Sequence, residues 1–221
     1  MLKKESAILL MNEPLFTNSI AIVAGGKSSR FGSEKAFAPF LQALVIDYVI
    51  KACKESGANE ICIIANKEQY KKLGLPVYSD IFKGLGPLAG IHSALAHSKA
   101  EQILVVACDM PLLSSLFLKW MLAQKEKLPV TIPFFNNRFQ PLHAIYHQSL
   151  LPVIEKRLRK KELSLKGLLD EVPYYPIPEE QISPFCPEGL CFASANTKEE
   201  LSKLEAIAPS YFEKLLSYRN R

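Results

Sequence analysis

Short apolar runs alternate with stretches of helical length along this chain, and this alternation constrains the fold more than any other feature. The run 20–24 is apolar throughout and stops at paired glycines, which is typical of a strand buried on both faces. The runs 60–65 and 103–108 have the same character. The stretch 44–56 instead repeats its apolar residues at intervals of three and four, the period of an amphipathic helix. Strands and helices in alternation predict a mostly parallel sheet with helices on both faces.

The same pattern predicts one domain over residues 19–221, preceded by a flexible leader over residues 1–18. The leader has too short an apolar stretch for a signal peptide. The proline-rich segment 172–188 is expected to form a loop or a sheet edge. Strands are predicted over 20–24, 60–65, 77–79, 103–108, 130–133 and 191–193, and helices over 44–56, 67–72, 86–98, 114–126, 144–161 and from 197 onward.

Composition excludes several classes of protein. With 221 residues, 48% of them hydrophobic and 22% charged, the chain can bury a core and is not intrinsically disordered. No apolar run is long enough to span a bilayer, so we expect no membrane association. The 5 cysteines are scattered without a CxxC pair, which predicts reduced thiols in a cytoplasmic protein.

The net charge of +5 is compatible with a phosphorylated ligand but does not require one. Much of the excess lies at 156–161, a basic stretch without interleaved aromatic residues. Aromatic residues that stack on bases are typical of single-stranded nucleic-acid sites. We therefore interpret this stretch as a solvated helix face and expect no nucleic-acid binding.

The segment 24–35 is the richest in functional signals. Paired glycines directly after a buried strand let the backbone turn sharply, and exposed N–H groups there can bind phosphates. Lys27, Arg30 and Lys35 add cations that suit a triphosphate. The segment is not a P-loop, whose first glycine would fall on Ala21, and it lacks the GxGxxG motif of dinucleotide-binding folds. A purely structural turn is the alternative.

Asp109 follows the most apolar predicted strand, at the end of the sheet where ligands bind in such folds. A carboxylate there suits Mg²⁺ shared with substrate phosphates, and it suits a helix N-cap equally well. Gly86 and Gly90 flank a proline at a helix start, as an anion site or a structural helix entry would. His143 and His147 are four positions apart but lack the glutamate of a zinc motif, so we expect no metal there.

Taken in order, these segments resemble the molybdenum cofactor guanylyltransferase family. That family opens with a strand running into Leu-Ala-Gly-Gly-x-Ser-x-Arg-Met-Gly-x-Asp-Lys, and this chain reads Val23-Ala-Gly-Gly-Lys-Ser-Ser-Arg-Phe-Gly-Ser-Glu-Lys35. Six further segments match in the family's order: Ala65-Asn-Lys67, Tyr78-Ser-Asp80, Gly86-Pro-Leu-Ala-Gly-Ile91, Cys108-Asp-Met-Pro-Leu112, Gln140-Pro-Leu-His-Ala-Ile-Tyr146 and Asn196-Thr-Lys-Glu-Glu-Leu201. The departures are Phe31 for methionine, Glu34 for aspartate, Ser194 for a first asparagine, and the lack of Gly-x-Pro in 36–43.

The resemblance implies a three-layer, Rossmann-like nucleotidyltransferase fold. It also implies transfer of GMP from GTP to molybdopterin, with Mg²⁺ as cofactor and pyrophosphate as the second product. The paired glycines at 25 and 26 look like the guanylyl branch, because the cytidylyl branch usually has Ala-Ala-Gly there. The partners implied are GTP, molybdopterin, and cofactor-delivery proteins or molybdoenzymes that receive the product.

The resemblance also implies site residues, and among them Arg30, Lys35 and Asp109 would be catalytic. By this reading the backbone of Val23, Ala24 and Gly25 contacts GTP, Lys35 and Arg30 bind its phosphates, Asn66 and Asp80 bind its nucleoside, and Asp109 also binds GTP and ligates Mg²⁺. Positioning and charge neutralisation suffice for such a transfer, since the incoming phosphate is already a nucleophile. The alternatives are transfer from CTP or UTP to another phosphorylated acceptor, and a nucleotide-binding adaptor without turnover.

Overall fold

The structure is a computed structural model that describes residues 18–24, 34–124 and 128–219. All but the last position of the predicted leader therefore lies outside the described residues. The strands are β1 (Ser19–Ala24), β2 (Pro39–Phe40), β3 (Ala43–Leu44), β4 (Glu60–Ala65), β5 (Val77–Tyr78), β6 (Gln102–Ala107), β7 (Val130–Phe135), β8 (Arg138–Phe139), β9 (His143–His147) and β10 (Tyr174–Ile177). The helices are α1 (Val45–Glu55), α2 (Pro87–His97), α3 (Ser115–Leu122), α4 (Leu151–Arg159), α5 (Leu165–Leu169), α6 (Glu179–Ile182) and α7 (Lys198–Arg219). Short 3₁₀ turns lie at Lys35–Phe37, Glu68–Leu73, Gln148–Leu150 and Pro187–Phe192.

One mixed sheet carries the fold, with strand order β10-β7-β9-β6-β1-β4-β5 and with β8 paired to β7. β1 lies between β4 and β6 and runs parallel to both. The β4–β5 and β7–β10 pairs are also parallel, whereas β9 runs antiparallel to β6 and to β7. The mostly parallel sheet confirms the predicted fold class.

Alternate residues of β1 face two different hydrophobic clusters, because successive side chains of a strand point to opposite faces. Ile20 and Ile22 belong to a cluster that includes residues of α1 and α3. Ala21 and Val23 belong to a second cluster that includes residues of α2 and α4. Helices therefore cover both faces of the sheet, which gives the three layers that the resemblance implied.

The long helix α7 begins directly after Thr197, as the capping pattern predicts. The hydroxyl of Thr197 accepts a hydrogen bond from the backbone N–H of Glu200 at 3.1 Å. The Glu200 carboxylate in turn accepts from the N–H of Asn196 at 2.6 Å, one residue earlier than in a standard capping box. Leu201, Ala208 and Tyr211 of α7 form a third apolar cluster with residues that include Phe40, Val45 and Leu112. Of the described helices, none has both the length and the apolar character to cross a membrane.

Two predicted elements in the last third of the chain are wrong. Residues 144–147, predicted as the start of a helix, belong to β9, and the α-helix begins only at α4. The reason is non-local, since β9 fills the space between β6 and β7 and provides both with backbone hydrogen-bond partners. The strand predicted over 191–193 is replaced by the 3₁₀ turn Pro187–Phe192, where Glu188 and Gly189 have left-handed backbone conformations that a strand does not allow.

The prediction of five reduced thiols is wrong for two of them, because Cys186 and Cys191 form a buried disulfide. The turn between them reverses the chain and brings their Cα atoms to 5.6 Å, a separation that a disulfide requires. The prediction holds for Cys53, Cys62 and Cys108, which are free. Burial raises the pKa of the Cys62 thiol to about 11 and that of Cys108 to about 12.

Candidate functional site

Three central strands of the sheet end side by side, each at an alanine. The pairing register sets Ala24 of β1 beside Ala65 of β4, and Val23 of β1 beside Ala107 of β6. Loops that leave these ends carry most of the predicted site residues. The carboxyl ends of parallel strands are where open α/β sheets bind their ligands.

Lys35 contacts two residues that are far from it in the sequence, Asp109 and Asn196. Its Nζ lies 3.8 Å from Oδ2 of Asp109, the carboxylate that follows β6. The same Nζ donates a hydrogen bond of 2.6 Å to Oδ1 of Asn196, just before α7. The side chains of Lys35 and Asp109 are 20% and 26% exposed, so both are held in place and both remain accessible to a ligand.

Asp109 is an ionisable group in a poorly solvated position. Burial raises the pKa of its carboxyl above the ordinary value, and the Lys35 ammonium partly reverses this effect. Asp109 does not cap the helix that follows, because Ser114 accepts the capping hydrogen bond from the N–H of Phe117 at 3.2 Å. The helix-cap alternative for Asp109 is therefore wrong.

Asn66 and Asp80 form a second pair after β4 and β5. The Asn66 amide donates to Oδ2 of Asp80 at 2.7 Å, and the Asp80 N–H donates to Oδ1 of Asn66 at 3.0 Å. Oδ1 of Asp80 is buried and has no hydrogen-bond partner among the described residues. Burial raises the pKa of Asp80, and the Asn66 hydrogen bond partly lowers it. An unpaired buried acceptor costs free energy, which a ligand donor would recover.

The first glycine loop is only partly described. Gly25 and Arg30 lie outside the described residues, so their predicted roles stay predictions. At the end of β1, the carbonyl of Val23 accepts a hydrogen bond from the N–H of Cys108 at 3.1 Å. Gly90 of α2 packs against the same residue so closely that a Cβ at this position would lie 2.4 Å from Cγ1 of Val23. The close packing of α2 against β1 therefore explains why a glycine is found at position 90.

His143 and His147 lie on strand β9 and not on a helix. His143 is buried between the rings of Phe117 and Phe192, and burial lowers its pKa to about 3. His147 contacts Glu101 through Nε2 at 3.2 Å. Across the described ranges, no three His, Cys, Asp or Glu side chains are grouped as a metal-binding set.

Two residues near Lys35 were not predicted from the sequence to belong to the site. Asn196 lies in one of the matching segments without a predicted role, and among the described residues it makes the closest contact of the Lys35 ammonium. Tyr70 lies in no motif, and its hydroxyl donates to Glu34, the neighbour of Lys35, at 3.0 Å. The available signal was the asparagine next to a predicted helix cap. No local pattern indicates Tyr70, because its contacts are non-local.

Comparison with known families decides the class of this site. The sequence model of the MobA-like NTP transferase domain matches residues 20–173, a span that includes Lys35, Asn66, Asp80 and Asp109. The chain belongs to this family.

Individual relatives agree with the family match. A protein from Carboxydothermus hydrogenoformans, named a probable molybdenum cofactor guanylyltransferase, is 35% identical over 198 residues, which cover 90% of this chain and 94% of that protein. A protein of the same name from Clostridium perfringens is 45% identical over 65% of this chain and 73% of its own length. The crystal structure of molybdopterin-guanine dinucleotide biosynthesis protein A from Archaeoglobus fulgidus matches with a TM-score of 0.76 at 26% identity, covering 87% of this chain and 99% of that one.

Membership in the MobA-like family confirms the recognition drawn from the motifs and makes the chain a nucleotidyltransferase. The site has the parts that such chemistry needs. A fixed cation can neutralise phosphate charge, and a carboxylate beside it can share a divalent ion with the phosphates. The Lys35 ammonium and the Asp109 carboxylate are two such groups, and they form an ion pair.

The Asp109→Asn variant is predicted to be more stable than the unmodified protein at neutral pH. The pKa of Asp109 is higher in the folded chain than in the unfolded chain, so ionisation of this carboxyl favours unfolding as the pH rises through that interval. Asparagine does not titrate, and the difference in free energy of unfolding should therefore shrink as the pH falls toward about 4. Urea denaturation of both proteins across this range measures the difference.

The control for this measurement is Glu213→Gln, which neutralises an exposed carboxylate on α7 and should change the free energy of unfolding by no more than about 0.5 kcal/mol. An Asp109→Asn variant that is less stable at every pH would show that the Lys35 contact outweighs the desolvation of Asp109.

Proposed function

We propose that this chain transfers GMP from GTP to molybdopterin and releases pyrophosphate in a Mg²⁺-dependent reaction. The observation that carries this proposal is the pair formed by Lys35 and Asp109, whose charged atoms lie 3.8 Å apart at the ends of the central strands. The choice of nucleotide and acceptor rests on the relatives named probable molybdenum cofactor guanylyltransferase. It also rests on the paired glycines at 25 and 26.

Asp109 is the residue that would hold Mg²⁺. In proteins this ion usually takes one or two carboxylates together with phosphate oxygens and water, so a single aspartate beside a nucleotide fits it without a cage of protein ligands. The donor is a hard oxygen, and its poorly solvated charge is only partly compensated by Lys35, which favours a bound cation. When bound, Mg²⁺ supplies positive charge that neutralises the phosphates during transfer.

The reaction is an in-line displacement at the α-phosphorus of GTP. An oxygen of the terminal phosphate of molybdopterin forms a bond to that phosphorus, and the bond to the pyrophosphate oxygen breaks, with its electrons leaving on pyrophosphate. No protein base is required, because the attacking oxygen is already ionised. Lys35 would bind the phosphates with help from Arg30, while Asn196 holds the Lys35 ammonium in place. Most of the catalysis would then be positioning and electrostatic stabilisation.

The nucleoside end of GTP would lie at the second pair. Asp80 has a buried, unpaired oxygen that can accept a hydrogen bond from the nucleoside. Asn66 holds Asp80 at two points, because its amide donates to the other carboxylate oxygen and its carbonyl oxygen accepts from the Asp80 backbone N–H. The backbone of Val23, Ala24 and Gly25 would contact the nucleotide between the two pairs. The product would then pass to cofactor-delivery proteins or molybdoenzymes.

Pyrophosphate release tests the proposed nucleotide and acceptor together. With Mg²⁺ and molybdopterin present, GTP should support release, and CTP and UTP should be at least about 100-fold poorer, because hydrogen-bonding groups that lack their partner are strongly disfavoured. Omitting molybdopterin is the control and should abolish release. Comparable rates with CTP or UTP would contradict the guanylyl assignment. GTP binding without release would instead indicate an adaptor.

Substitution of the two charged residues tests their roles. Asp109→Ala should lower kcat/KM by about 10²-fold or more, the effect of removing one preorganised charge from a transition state. Lys35→Ala should weaken GTP binding by about 10-fold, since it removes a charge-assisted phosphate contact. Calorimetry with GTP and steady-state rates measure both effects.

The matched control for these substitutions is Lys214→Ala, which removes an exposed lysine paired with Glu188 at 3.1 Å on α7. This variant should keep the affinity and the rate of the unmodified protein. Full activity of Asp109→Ala, or an unchanged affinity of Lys35→Ala for GTP, is incompatible with the proposed site.

A further inference from the structure

Each of three proposed site residues has a chain neighbour in one polar network around Tyr70. Tyr70 lies on the 3₁₀ turn Glu68–Leu73, and none of the sequence motifs includes it. The neighbours are Glu34 before Lys35, Lys67 after Asn66, and Cys108 before Asp109. The chain is therefore tied together at Glu34, Lys67 and Cys108, which are not themselves predicted to contact substrate.

Tyr70 occupies the centre of this network with its hydroxyl group. The residue is 1% exposed, and its hydroxyl donates a hydrogen bond of 3.0 Å to Oε1 of Glu34. The same oxygen lies 3.9 Å from Sγ of Cys108. The ring packs edge-on against Phe37 with centroids 5.0 Å apart. Burial raises the pKa of Tyr70, so its hydroxyl keeps its proton and stays a donor at physiological pH.

Glu34 connects Tyr70 to the backbone that carries Lys35. Its second carboxylate oxygen pairs with the ammonium of Lys67, and its side chain is only 16% exposed. Its carbonyl accepts from the N–H of Phe37 at 3.0 Å, which closes the 3₁₀ turn Lys35–Phe37. With both the side chain and the carbonyl of Glu34 held, the backbone from which the Lys35 side chain extends has a defined position.

We propose that Glu34 and Tyr70 are positioning residues that hold the Lys35 ammonium against the triphosphate of the bound nucleotide. Lysine side chains have large conformational freedom, and a phosphate contact made by a pre-positioned lysine costs less entropy than one made by a free lysine. The inference rests on the proposed function in one respect, namely that Lys35 binds phosphates. It does not depend on which base or which acceptor the enzyme uses.

The competing explanation is that Tyr70 only stabilises the fold, as a buried tyrosine often does. The two explanations differ in how Tyr70 and Lys35 are coupled. A positioning residue acts through Lys35, so its removal should have no effect once Lys35 is gone. A residue that only stabilises the fold should have the same effect on binding whether Lys35 is present or not.

The test is a double-mutant cycle with inorganic tripolyphosphate as the probe, because this ligand has neither base nor acceptor group. Calorimetry in Mg²⁺ buffer should give an affinity about fivefold lower for Tyr70→Phe than for the unmodified protein, the effect of one lost hydrogen bond. In the Lys35→Ala background, Tyr70→Phe should change the affinity by less than about twofold. Glu34→Ala should follow the same pattern, and it provides a second route if one variant folds poorly.

Tyr146→Phe is the matched control, because Tyr146 is also buried and its hydroxyl also donates a hydrogen bond, of 2.7 Å, to the carbonyl of Pro141. It should leave tripolyphosphate affinity unchanged. Equal losses from Tyr70→Phe with and without Lys35 would overturn the inference, as would no loss in either background or an affinity that does not depend on Lys35. Failure of the proposed function would appear separately, in the pyrophosphate release of the unmodified protein.

Discussion

The parallel pairing of β1 with β4 and β6 is the interaction on which the rest of this structure depends. It satisfies the backbone of a strand that is buried on both faces, and its register sets three strand ends side by side. Because side chains alternate along β1, a shift of one residue would exchange the residues that face the two cores. The two apolar clusters therefore fix the register, and the register fixes where the loops with Lys35, Asn66 and Asp109 begin.

The second constraint on the structure is the burial of charged carboxylates at the proposed site. Burial disfavours the ionised forms of Asp109 and Asp80, the two carboxylates of the proposed nucleotide site. The chain compensates with a lysine beside one carboxylate and an asparagine beside the other. Asn196, which lies just before α7, accepts a hydrogen bond from that lysine and so connects it to the C-terminal helix. In the proposed function, the phosphorylated ligand and the cation would complete this compensation of charge.

Sequence periodicity was enough for the elements whose burial is set locally. The predicted strand over 60–65 and helix over 44–56 agree with β4 and α1, and Asp109 follows its strand as predicted. Features that depend on contacts between residues far apart in the sequence could not be predicted from local patterns. β9 is a strand because β6 and β7 lie on either side of it, and the disulfide of Cys186 forms because a left-handed turn reverses the chain. The contacts of Lys35 with Asn196 and of Tyr70 with Glu34 likewise need the folded chain.

We propose that one nucleotide site forms at the carboxyl ends of β1, β4 and β6. A crystal structure with Mg²⁺ and a non-hydrolysable GTP analogue tests it most directly. We expect the Lys35 ammonium to contact the phosphates, Asp109 to ligate the ion, and Asn66 and Asp80 to lie against the nucleoside. A nucleotide bound elsewhere on the chain, or bound here with its phosphates away from Lys35 and Asp109, would contradict the proposed site.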